Sequence, residues 1–119
     1  MYINKGSELK LRTYKYSLSI IKYLDKLPNK RIYWSISDQL MRSATSIGAN
    51  IVEAQGAASK KEFYNFYRIA FKSAIETKYW LCLIRDGVKN DPASIAKLLS
   101  EADELSKMLG ASLKTMKKK

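Results

Sequence analysis

The chain has 119 residues, 46% of them hydrophobic and 28% charged, a balance that suits one folded domain with one core. Its 22 Lys and Arg outnumber 11 Asp and Glu, and the net charge of +11 favours polyanionic partners such as RNA or DNA. There is no histidine and one cysteine, Cys82, which excludes an internal disulfide, a cysteine metal cluster and the usual histidine-based catalytic sets.

In chain order, Met1 to Gly6 is short and polar and is expected to fray. Ser7 is placed to cap a first helix over about residues 8–27, stopped by Pro28. Two apolar stripes run along it. Leu11, Tyr14, Leu18 and Ile21 form one; Leu9, Tyr16, Ile20, Tyr23 and Leu27 form the other. At about 100° per residue the stripes lie roughly opposite each other, so one can face the core and the other needs a second partner. Lys15, Lys22 and Lys26, with Arg12, fill an edge between them.

Ser35 or Ser37 is the expected cap of a second helix over about residues 37–54, with Ile36, Leu40, Ala44, Ile47, Ile51 and Ala54 as its apolar face. Gly48 inside that helix costs about 1 kcal/mol relative to Ala, which calls for a packing reason such as close approach of a neighbouring helix. Ser43, Thr45, Ser46 and Ala49 are small as well, and Asn50 is expected to hydrogen-bond within the bundle. Ser59-Lys60-Lys61-Glu62 is a capping-box pattern that opens a third helix over about residues 60–85, with Asp86-Gly87 as its stop. Phe63, Phe66, Ala70, Ala74, Thr77, Leu81 and Ile84 make its core face; Tyr64, Phe71, Ile75 and Cys82 make a second strip. Asp91-Pro92 starts a fourth helix over about residues 92–116, with an expected seam of Ile95, Leu98, Ala102, Leu105, Leu109, Ser112 and Met116. With no strand pattern, the expected fold is all-α: one domain, an up-down-up-down antiparallel four-helix bundle.

The doubled apolar faces point to self-association, with Tyr16, Ile20, Tyr23, Tyr64, Phe71 and Ile75 as the expected interface. Lys60, Lys61, Arg68 and Lys72, with Arg42 on the preceding helix, form the expected nucleic-acid surface; Tyr64 and Tyr79 stand close enough to offer stacking. Glu53 and Glu76 lack a Glu-x-x-His companion, so a bundle metal site is not expected and pairing with Lys or Arg is. No cofactor, metal or enzymatic activity is expected. No apolar run spans a membrane and no signal-peptide pattern opens the chain, so the cytoplasm is the expected compartment.

The stretch Gln39 to Ala54, QLMRSATSIGANIVEA, together with Ser59-Lys60-Lys61-Glu62-Phe63 and Ala74-Ile75-Glu76-Thr77-Lys78-Tyr79-Trp80-Leu81, resembles the bacterial four-helix-bundle family encoded in intervening sequences of 23S ribosomal RNA genes. Ala54 stands where many relatives have glycine. The resemblance implies a bundle that assembles as a homopentamer. It further implies kinship with the accessory variability protein of diversity-generating retroelements, a basic pentamer that binds nucleic acid and a reverse transcriptase. It carries over no catalytic residues. Asn50, Glu53, Glu62 and Glu76 carry over as structural positions. The expected function is a non-enzymatic oligomeric bundle that binds RNA or DNA; the competing expectation is a structural or protein-interaction module with no nucleic-acid role.

Overall fold

The computed structural model describes residues 8–117, so the expected Ser7 cap and the ends of both termini lie outside the described residues. Four helices follow in order: α1 (Glu8–Asp25), α2 (Arg31–Ala54), α3 (Lys60–Gly87) and α4 (Pro92–Lys117). There is no strand among the described residues.

Side-chain pairs set the register between helices. Thr77 Oγ1 donates to Ser43 Oγ at 3.0 Å, and Ser73 Oγ donates to Ser46 Oγ at 3.0 Å, so α2 and α3 run antiparallel along a seam of small residues. Ala70 and Ala74 are fully buried on the same helix as that seam, which lets the two backbones approach. Lys78 reaches from α3 to Asp103 and Ser106 of α4, both at 3.2 Å. Tyr16 of α1 donates its hydroxyl to the Leu98 carbonyl of α4 at 2.8 Å. Arg12 forks onto Glu101, with both nitrogen–oxygen distances at 2.8 Å. The core between the four helices is built on Ile20, Leu40, Ile47, Ile51, Leu81, Ile84, Ile95, Leu105 and Leu109, all essentially without exposure.

The helix ends differ from the expected ones for local reasons. α1 ends at Asp25 because Lys26 N–H donates to Tyr23 O and Leu27 N–H to Leu24 O, tight turns that close the helix ahead of Pro28. α2 begins at Arg31, not near residue 37. Its N-cap is Lys30, with extended backbone and no side-chain cap, and Ser35 and Ser37 are interior helical residues. Tyr33 and Ile36 pack against the core, and that burial carries the extra turn that propensity alone does not favour. α3 continues through Gly87 and stops at Val88, whose N–H donates to Ile84 O at 2.9 Å. No glycine among the described residues has positive φ, so the expected glycine stop is not what ends the helix. Asn90 ends it instead, donating from Nδ2 to Val88 O at 2.6 Å and to Ile84 O at 3.2 Å. The start of α4 is as expected: Asp91 accepts from Ala93 N–H and, at 2.7 Å, from the Ser94 hydroxyl. These hydrogen bonds, the Ser94 hydroxyl foremost, hold the Asp91 carboxyl below its usual range.

The two stripes of α1 are exchanged relative to expectation. Tyr16 and Ile20 are 3% and 0% exposed, whereas Leu18 and Ile21 are 39% and 44% exposed. Tyr16, Ile20 and Tyr23 therefore belong to the chain's own core and cannot form its outer surface. Phe71 is half-buried against α4, where its ring meets Gly110. It too packs within the chain first. Phe63 and Phe66, expected as core, are only half-buried; Phe63 stacks on Tyr67 with ring centroids 4.7 Å apart.

Candidate nucleic-acid interface

The start of α3 is built by a capping box with one altered partner. Ser59 Oγ accepts from Glu62 N–H at 3.1 Å, as the pattern predicts. The Glu62 carboxylate accepts from the Ala58 amide at 3.2 Å, not from Ser59. From this capped end, Lys61, Arg68, Lys72 and Tyr79 lie on one outward line along α3, and all four are exposed. Lys60 is exposed beside them. Arg68 donates to Asn65 Oδ1 at 3.1 Å, which steadies the guanidinium without neutralising it. None of Lys60, Lys61, Arg68 and Lys72 is engaged in an ion pair among the described residues. Lys61, Arg68 and Tyr64 border a shallow depression of about 640 Å³.

Arg42 does not join this line. It sits on the outer face of α2 and donates to Asp38 at 2.9 Å, one turn away. Through the Ser43–Thr77 contact it stands level with Thr77, well up the bundle from Lys61. Tyr64 is half-buried, Tyr79 is exposed and lies edge-on to Trp80, and Ile75 is exposed on the same side of α3.

The positions expected to be structural divide. Asn50 Nδ2 donates to Ser46 O at 2.8 Å and Ser46 Oγ at 3.0 Å, inside its own helix, on the seam with α3. Glu76 accepts from the Trp80 indole at 2.9 Å; the lysine or arginine pairing expected for it is absent among the described residues. Glu53 is exposed and lines a groove of about 400 Å³ between α1 and α2, with Lys10, Tyr14 and Gly48. The Arg12–Glu101 fork was not foreseen, nor was the Lys78–Asp103 bridge. The hydrogen bonds from Lys107 and Lys78 hold the Asp103 carboxyl below its ordinary range. No three His, Cys, Asp or Glu side chains gather as a metal site among the described residues, and no described helix is long and apolar enough to cross a membrane.

An all-α chain of four helices with an uncompensated basic line defines the class: a helical bundle with a cationic surface. The model of the 23S rRNA-intervening sequence protein family matches residues 7–111, and the chain belongs to that family. Among solved structures it is similar to a protein of unknown function from the S23 ribosomal protein family of Bacteroides thetaiotaomicron VPI-5482. The two share 33% sequence identity and a TM-score of 0.82, over 89% of this chain and 98% of the other. No curated protein matches the chain.

Proposed function

We propose that this chain is a non-enzymatic bundle that binds RNA or DNA through the outer line of α3. The observation that carries the reading is that Lys61, Arg68 and Lys72 share one exposed strip and have no ion-pair partner. Cations with no internal partner are free to neutralise phosphates and release counterions, so affinity comes with little sequence selectivity and falls steeply with salt. Binding of generic RNA and DNA across a salt series tests this. Wild type is expected to bind at low salt, and Lys61→Gln/Arg68→Gln/Lys72→Gln to bind more weakly with a shallower salt slope. No binding to any polynucleotide at low salt refutes the reading.

Self-association is part of the same reading, with the interface moved to the stripe that faces outward. Leu18 and Ile21 project from α1, beside the α1–α2 groove, and Ile75 projects from α3. Leu18 and Ile21 share the outward stripe of α1, and an exposed apolar stripe of this kind favours burial against another copy. The proposed assembly is a closed pentameric ring in the cytoplasm with a reverse transcriptase as protein partner, a reading supported only by what the family resemblance implies. Replacing Leu18 and Ile21 with lysine is expected to shift the mass in solution to the monomer with helicity intact; an unchanged mass assigns the interface elsewhere.

A further inference from the structure

A second basic surface lies apart from α3. The edge of α1 that faces α4 carries Lys15 and Lys22, Lys26 follows in the turn after α1, and α4 supplies Lys97 opposite them. These four line two cavities, of about 270 and 280 Å³, that share Ser19, Lys97 and Leu98 and so form one continuous groove. Lys15, Lys22 and Lys97 have no ion-pair partner among the described residues. Lys26 lies near Asp91, but that carboxylate is held by Ser94 and the first turn of α4. At the far end Arg12 is consumed by its fork with Glu101, with Glu8 and Glu104 near it, so the cationic stretch has a defined limit. Tyr23 lines the groove with part of its side chain, while its hydroxyl is buried without a hydrogen-bond partner among the described residues.

We propose that this groove is a second track for a polynucleotide backbone. From Lys15 to its end at Asp25, α1 rises about 15 Å at 1.5 Å per residue, with Lys26 in the turn just beyond, which spans several phosphates at about 3.4 Å of duplex axis per nucleotide of a strand. A line of flexible point charges in an open groove suits repeated phosphates. A compact anion would be better held by a convergent guanidinium fork, and the only one here is taken. The proposal rests on the nucleic-acid reading above and deepens it. A subunit with one track on α3 and another between α1 and α4 holds two separate backbone segments.

The test compares three full-length proteins on the same RNA and DNA duplexes across a salt series: wild type, Lys15→Gln/Lys22→Gln/Lys26→Gln/Lys97→Gln, and a control that removes equal charge at Lys30, Lys89, Lys114 and Lys117. All eight lysines are exposed, so helicity and Tm serve as fold controls. The groove variant is expected to lower the slope of log affinity against log salt by about 3, since each phosphate contact contributes roughly 0.7–0.9. The control is expected to lower it far less. A groove variant that matches wild type overturns the second track and leaves the α3 reading standing. Equal losses in groove variant and control also overturn it, because net charge alone then accounts for binding. A wild type that binds nothing at low salt removes both.

Discussion

Gly48→Ala sets two effects of known sign against each other. In an exposed helix the change gains about 1 kcal/mol in helix propensity. Here a Cβ on Gly48 would lie 3.2 Å from Thr13 Oγ1, 3.3 Å from Thr13 Cβ and 3.4 Å from the Thr13 main-chain carbon. Thr13 is buried and cannot swing aside freely, because its hydroxyl donates to Leu9 O at 2.9 Å and Lys10 O at 3.1 Å. One of the three contacts is α1 backbone, so relief requires the whole helix to move by a few tenths of an ångström. Overfilling a packed interface typically costs about 1–3 kcal/mol. The expected balance is a net loss of about 1 kcal/mol, or roughly 4 °C in Tm for a chain of this length. Thermal unfolding of Gly48→Ala, Thr13→Ala and the double variant measures it. Thr13→Ala removes the nearest atom, so the two changes should couple by at least about 0.5 kcal/mol. A Gly48→Ala protein that melts higher than wild type, with no coupling to Thr13, refutes the close-approach argument.

Two further changes probe α1 against α4. Glu101→Gln breaks the fork onto Arg12, whose partners are each about 30% exposed (30% and 31%), and is expected to cost about 1 kcal/mol in urea denaturation at low salt, less at about 1 M salt. Equal losses at both salt concentrations would assign the cost to packing. Tyr16→Phe removes the hydrogen bond to Leu98 O and is expected to cost about 1 kcal/mol at neutral pH. Burial, and then the Glu101 charge, raise the Tyr16 pKa above its ordinary 10.0. The unfolded chain therefore loses that proton first, and stability present below pH 10 declines as pH rises beyond it. Tyr23 and Tyr67 are raised as well, so Tyr16→Phe should flatten the alkaline decline without abolishing it. An unchanged decline would remove Tyr16 as a cause.

Much of the bundle is legible in the sequence because it is encoded locally. The Ser59 cap, the Asp91-Pro92 start and the three-four spacing of α2 and α4 need only neighbours within a turn or two. The α3 basic line is legible for the same reason, since seven- and four-residue spacings put Lys61, Arg68, Lys72 and Tyr79 on one side of any helix. What escapes is whatever depends on a distant partner. Ser35 and Ser37 look like caps until Tyr33 and Ile36 find the core. The end of α3 is decided by Asn90, whose reach back to the Ile84 carbonyl depends on the path of the loop. Glu76 faces a cation in composition and an indole in space.

The α1 stripes carry the same lesson further. Leu11, Tyr14, Leu18 and Ile21 are as apolar as Leu9, Tyr16, Ile20, Tyr23 and Leu27, so hydrophobicity cannot choose between them. Three long-range contacts choose: Thr13 against Gly48, Tyr16 onto Leu98 O, and Arg12 onto Glu101. Together they turn the tyrosine stripe inward. The same rotation brings the lysine edge of α1 against Lys97 of α4 and leaves Leu18 and Ile21 outward. Core, second basic groove and unpartnered apolar face thus follow from one rotational setting of α1. A variant that loosened that setting is expected to lose all three together, which ties the proposed surfaces to the packing of Gly48 against Thr13.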